Sequence, residues 1–268
     1  MANNSNLSKR AALRKQQELE EQRKRNKKMM TIGLAVVGVV VVVIVGVLAM
    51  TLLNKNQQSQ VTPPNATDAG GITINSTGSQ PQGQVPHVVV YEDYQCPACG
   101  QYEQAFGSTF LQLVDEGKIT LEVRTAHFLD QVNKTDNRKS STRAALAAAA
   151  ADEVGKYREY HAVLFAKQPT EGVGFTDEQL TGDFATEAGI TGEDLVKFKQ
   201  LYEDKTYEGF VDKSHKAMSD NQVTGTPTYH VDGKTIEFFD PNTRQAVVSA
   251  NDPESLLAAI QAAADKNS

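Results

Sequence analysis

Cys96-Pro97-Ala98-Cys99 contains both cysteines of the 268-residue chain. None remains for a disulfide elsewhere, a lipid-modified N-terminus or a four-cysteine zinc site. Just upstream, Val88-Val89-Val90-Tyr91 is a short, β-branched apolar run that reads as a strand. Just downstream, Pro97 suits the first turn of a helix, where a missing N–H costs nothing. Tyr102, Phe106, Phe110, Leu111 and Val114 follow at roughly helical spacing, which predicts a helix to about Glu116 with Gly117 as its stop. A strand, a Cys-x-x-Cys and a helix in that order put the first sulfur at a helix N-terminus. Unpaired N–H groups and the helix dipole there favour a thiolate. This spacing makes Cys96 the nucleophile and Cys99, one turn further in, the resolving thiol.

Two other readings of the motif stand beside this one. A Cys-x-x-Cys can be half of a zinc site, but there is no second cysteine pair, and the five histidines (87, 127, 161, 215 and 230) are scattered. A static disulfide across so tight a loop is the other; structural bridges usually close longer loops. No metal is expected.

Working outward towards the start, residues 1–28 hold nine Lys or Arg against three Glu, a net +6 within an overall charge of −6, so the remainder carries −12. Such an acidic remainder argues against a nucleic-acid partner. From Thr31 to Leu53 there are 23 residues without a charge. That is long enough to cross a hydrocarbon core and longer than the usual apolar part of a signal peptide. The expected organisation is a cytoplasmic basic tail at 1–28, an uncleaved transmembrane signal anchor at 29–53, a flexible extracytoplasmic tether at 54–84 and a folded domain at 85–268. The basic flank before the span places the N-terminus inside and the domain outside. Within the tether, Ile72-Thr73-Ile74 has the look of a small edge strand.

Towards the C-terminus, Lys118 to Thr125 alternates as a second strand. An all-helical stretch is expected at about 139–221: an alanine-rich helix from Ser140, one from Tyr157 to Lys167, one starting at Thr176, one starting at Thr191, and one through Phe210, Val211, His215 and Met218. Strand character resumes after Val223-Thr224-Gly225-Thr226-Pro227-Thr228, with Tyr229-His230-Val231, an Asp232-Gly233 hairpin turn and a partner over Thr235–Phe239. Asp252-Pro253-Glu254 caps a last helix. The histidines at 127, 161, 215 and 230 invite catalytic roles; His161, on a helix face beside Tyr160 and Leu164, reads as a packed helix residue.

Three stretches carry a family resemblance: Glu92 to Cys99, the helical phrase Tyr157 to Pro169, and Val223 to Thr228. With the order of elements, they make the chain from about 85 to 265 similar to DsbA-like thiol–disulfide oxidoreductases of the thioredoxin-fold superfamily. The implied fold is α/β, a thioredoxin-like fold with an all-helical insertion, preceded here by one transmembrane helix. The anchor and tether look like the membrane-bound versions of Gram-positive bacteria. The resemblance implies catalytic Cys96 and Cys99, an active-site dipeptide Pro97-Ala98, and a cis Pro227 that faces the disulfide and presents the backbone of Thr226 to substrate. It also implies secreted protein substrates with free thiols, a quinone-linked membrane reoxidase as partner and no bound cofactor. The chain departs from its relatives in two places. The buried acid often found six residues before the nucleophile is replaced by Val90, leaving Glu92 and Asp93 nearby, and the dipeptide lacks the histidine of strongly oxidising members. The expected activity is disulfide formation in secreted proteins; reductase or isomerase use of the same cysteines, and a tethered peptide-binding chaperone, are the alternatives.

Overall fold

The computed structural model describes residues 23, 25, 38, 40–50, 61–132, 139–240, 243 and 245–265. It divides into two units, 1–56 and 57–268. In the first, residues 40–50 are helical and their large apolar side chains are exposed. Among the described residues no helix is long and apolar enough to cross a membrane. Most of the expected basic tail, and the expected span at 29–37, 39 and 51–53, lie outside the described residues.

The second unit is built on a five-stranded sheet. In chain order its elements begin with β1 (Ile72–Thr73), β2 (His87–Glu92) and α1 (Pro97–Tyr102). A π-helical turn at Glu103–Gly107 joins α1 to α2 (Ser108–Asp115), and β3 (Thr120–Thr125) and α3 (Leu129–Val132) follow. The helical block holds α4 (Ser140–Glu153), α5 (Tyr157–Ala166), a second π-helical turn at Gln179–Asp183, α6 (Phe184–Glu187), α7 (Gly192–Glu203) and α8 (Glu208–Asp220). The chain closes with β4 (Thr228–Val231), β5 (Lys234–Thr235) and α9 (Pro253–Asp265). Strand order is β1-β3-β2-β4-β5; β2 and β3 run parallel and every other pairing is antiparallel.

The continuous apolar character of β2 follows from its place. It is a central strand covered on both faces, so it has no polar side to alternate with. Val88 and Val90 join the main core, whereas Val89 and Tyr91 pack with Ala217 and Met218 of α8. Aromatic rings fill the space between the first helices and the hairpin. Phe110 stacks on Tyr229 with centroids 5.1 Å apart, and Phe106 and Phe238 lie 4.8 Å apart. The alanine run of α4 is buried along its whole length. Small side chains there let α5, α7 and α8 approach one central helix.

The structure follows the expected element order and places the helical block between β3 and β4, as expected. It refines some boundaries. The first helix stops at Asp115 and is interrupted by a π turn, while Gly117 takes the left-handed φ of +68° that ends it. The hairpin partner is two residues long; the Ile236 N–H still donates to Tyr229 O at 2.7 Å before the chain leaves the ladder, and Phe239 pairs with Ala246.

The expected tether at 54–84 needs correction. Residues 54–60 lie outside the described residues, but from 61 onward the segment is folded onto the domain. β1 pairs with β3, and Ile72 and Ile74 are buried. Asn65 donates from its backbone and side chain to the Asp152 carboxylate, each at 2.8 Å. Thr67 donates to Glu122, and Thr77 N–H to Asp115. Polar composition suggests a linker when each residue is read alone; here those polar groups meet carboxylates presented by the domain, of which Glu122 and Asp152 are buried. Ile74→Ala should therefore lower the stability of the domain by about 2–4 kcal/mol, the usual cost of emptying a buried aliphatic site. Denaturant unfolding checks this. No change would return the segment to a tether.

Candidate active site

β2 ends at Glu92, and the turn Asp93–Cys96 carries the chain into α1. The Cys96 N–H donates to Asp93 O at 2.9 Å, and the Gly100 N–H donates to Cys96 O at 3.2 Å. Cys96 is thus the N-cap and Pro97 the first helical residue. Both cysteines are free thiols. Cys96 retains a little exposure, 8% against 2% for Cys99.

The Thr226–Pro227 bond is cis. Thr226 lies against Cys96, with Thr226 O 3.4 Å from Cys96 Sγ. The structure therefore gathers Cys96, Pro97, Ala98, Cys99, Thr226 and Pro227 into one place, across 130 positions of sequence.

The two sulfurs are electrostatically unlike. Cys96 is held down to about 6, chiefly by a hydrogen bond from the Cys99 thiol and further by the backbone N–H groups of Cys99 and Ala98, against the cost of burial. Burial, followed by hydrogen bonding and charge from Cys96, pushes Cys99 far above the ordinary thiol range. One proton shared by two sulfurs thus resides on the inner one. Ala98 contributes through its backbone alone.

Behind the thiols the chain buries charge. His161 of α5 bonds the Glu92 carboxylate through Nε2 at 2.7 Å, and its Nδ1 lies 3.8 Å from Glu103 of the π turn. Burial opposes a charge on His161, but the Glu92 and Glu103 carboxylates outweigh it and raise the ring to about 9. Burial raises Glu103. A cavity of about 20 Å³, lined by these three side chains and by Val90 and Phe110 among others, lies between the sheet and the first helices.

Asp93 occupies a separate buried network. It accepts from Ser141 Oγ at 2.7 Å and from the backbone N–H of Gln95 and Leu129, while Gln95 Nε2 donates to Ser141 Oγ at 2.8 Å. Burial pushes Asp93 up to about 7 against those bonds. The start of the helical block is thereby tied to the turn that carries Cys96.

His161 is a packed helix residue, as its helical pattern suggests, and also a buried ionic partner, which no local pattern reveals. The other histidines stand elsewhere. His127 and His215 face each other with centroids 4.0 Å apart, His230 lies against Tyr91, and His87 bonds Thr120 and Glu122. Among the described residues no group of three or more His, Cys, Asp or Glu is arranged to hold a metal ion. Beside Pro97 a groove of about 770 Å³ opens between α1 and the end of α5, with Gly100, Gln101, Phe165, Gln168 and Pro169 on its walls.

A family model described as thioredoxin matches residues 83–262. The chain belongs to the thioredoxin family. Within it, solved structures similar to this one are the reduced disulfide bond oxidoreductase DsbG of Mycobacterium tuberculosis and reduced DsbA of the same organism. The first is 28% identical, with 74% of this chain and 89% of that chain covered and a TM-score of 0.57. The second is 28% identical, with 72% and 99% covered and a TM-score of 0.53. Together they make this a DsbA-like member of the thioredoxin family. A curated protein, the Na(+)/H(+) antiporter NhaA 3 of Salinispora tropica, is 32% identical over 147 residues, which is 55% of this chain. The match spans only 20% of that antiporter's length.

The buried His161 charge has a pH consequence. Its folded value is raised above the unfolded value near 6.5. The stability it contributes is full below that value and is lost as pH rises through about 9. In the oxidised protein, where no thiol titrates, stability should fall between pH 7 and 9. His161→Gln should lower stability at pH 7 by about 3 kcal/mol, because Glu92 and Glu103 lose their counter-charge. It should also flatten that slope. Chemical denaturation across the pH range is the measurement, and an unchanged slope would mean that His161 is neutral in the fold.

Proposed function

We propose that this protein is an extracytoplasmic thiol–disulfide oxidoreductase that forms disulfide bonds in secreted proteins. The observation that carries it is the division of labour between the two sulfurs: Cys96, partly accessible and held down to about 6, and Cys99, buried and pushed up.

In the oxidised enzyme a substrate thiolate attacks the sulfur of Cys96, the less buried of the two cysteines. The Cys96–Cys99 bond breaks, and the pair of electrons leaves on Cys99, which takes up a proton. A second substrate thiolate then attacks the substrate sulfur of the mixed disulfide. Cys96 departs as a thiolate, and a low-pKa thiol leaves fast. The substrate has lost two electrons and two protons and gained a disulfide; the enzyme is a dithiol. A quinone-linked membrane protein reoxidises it, and no bound cofactor takes part. Thr226, next to Cys96, offers its backbone to an extended substrate segment, a sequence-tolerant mode of docking.

The location rests on the sequence. Thr31–Leu53 is uncharged and follows nine basic residues, which supports a membrane anchor with the catalytic domain outside.

Direction follows from linkage. A Cys96 value lowered by folding stabilises the folded dithiol; that gain is full above the unfolded value near 8.5 and fades as pH falls through about 6. The disulfide is then the less favoured state, as an oxidant requires. At pH 7 to 8 the reduced protein should melt at a higher temperature than the oxidised protein, and the difference should shrink as pH approaches 5. Calorimetry of both forms tests it. An oxidised form that melts higher throughout would make the protein a reductase.

A further inference from the structure

Gln168 stands two residues beyond α5, at the edge of the helical block. Its Nε2 donates to two carbonyls of the active-site turn, Tyr94 O and Cys96 O, each at 2.9 Å. A primary amide nitrogen has two hydrogens, and both are used. The turn is short of donors, because Pro97 contributes no N–H. Tyr94 is fully buried, so water does not replace the amide cheaply. The same Cys96 carbonyl also accepts the Gly100 N–H that closes the first turn of α1.

Gly100 supplies the second, independent observation. A Cβ at this position would run into the Gln168 side-chain amide, with Oε1 as the first atom met. Glycine in the middle of a helix is otherwise a disadvantage relative to alanine. Here its missing side chain is the space that the amide occupies.

We infer that Gln168 is a positioning residue for Cys96, and that position 100 is glycine in order to admit it. The inference deepens the proposed activity and rests on Cys96 being the nucleophile. The amide clamps the peptide groups on both sides of the Gln95–Cys96 link. That clamp fixes the direction of the Cys96 side chain relative to the N–H groups of Ala98 and Cys99, which lower its pKa only while they point at the sulfur. Gln168 comes from the helical insertion, so the insertion holds the nucleophile in register as well as covering the sheet. The groove beside Pro97 is bounded by this same side chain.

The test uses the reduced full-length chain. Rates of iodoacetamide alkylation at Cys96 and at Cys99 are followed across pH by mass spectrometry for the wild type, Gln168→Leu, Gly100→Ala and the double variant. Gly100→Ala places a better helix former in α1, so it keeps the fold while it displaces the amide. Each single variant should raise the apparent Cys96 value by about one unit, which is about tenfold less thiolate below it. The double variant should shift no further than either single one, because both remove one clamp. Unchanged Cys96 reactivity in Gly100→Ala, or a double variant whose shift is the sum of the two, overturns the inference. If Gln168→Leu fails to fold, Gly100→Ala decides alone. Wild-type Cys96 reacting no faster than Cys99 would instead overturn the nucleophile assignment, a distinct result.

Discussion

A thiolate at the start of a helix needs N–H groups aimed at it and a neighbour that keeps the proton. At Cys96 the N–H groups are those of Ala98 and Cys99, and the neighbour is the Cys99 thiol. Everything nearby holds this geometry in place. β2 delivers the turn, Pro97 starts the helix, and Thr226 closes the open side. Tyr102 of α1 and Phe110 of α2 both stack on Tyr229 of β4, which packs the first helices onto the sheet.

The helical insertion reaches the same turn from behind by three routes. Ser141 of α4 bonds Asp93, His161 of α5 bonds Glu92, and Gln168 bonds the Tyr94 and Cys96 carbonyls. Burying so many polar groups is costly unless each finds a partner. Their partners lie at the end of β2 and on the turn that leads into α1. The insertion is thus tied to the turn by hydrogen bonds and an ion pair as well as by apolar packing.

Much of this was legible in the sequence, for physical reasons that can be named. The strand, the Cys-x-x-Cys and the helix are adjacent in the chain, so local pattern suffices. The same holds for the Asp232-Gly233 hairpin and for the Asp252 cap, whose carboxylate accepts the N–H groups of Glu254 and Ser255. What escaped has no local signature. Glu92 and His161 are 69 positions apart, and a glutamate at a strand end looks like a solvated residue until its partner is known. Residues 61–84 look like a linker because their anchors, Asp115, Glu122 and Asp152, sit elsewhere in the chain. Gln168 lies within the helical phrase that resembles the family, yet only three dimensions show where its amide points.

The division of protons between the two sulfurs is most directly tested by ultraviolet titration of thiolate absorbance in the reduced protein, with Cys96→Ala and Cys99→Ala alongside. The account predicts one thiolate appearing with a midpoint near pH 6 in the wild type, absent in Cys96→Ala, and shifted upward in Cys99→Ala because the donor to Cys96 is gone. Two thiols titrating together near the ordinary value of about 8.5 would contradict it.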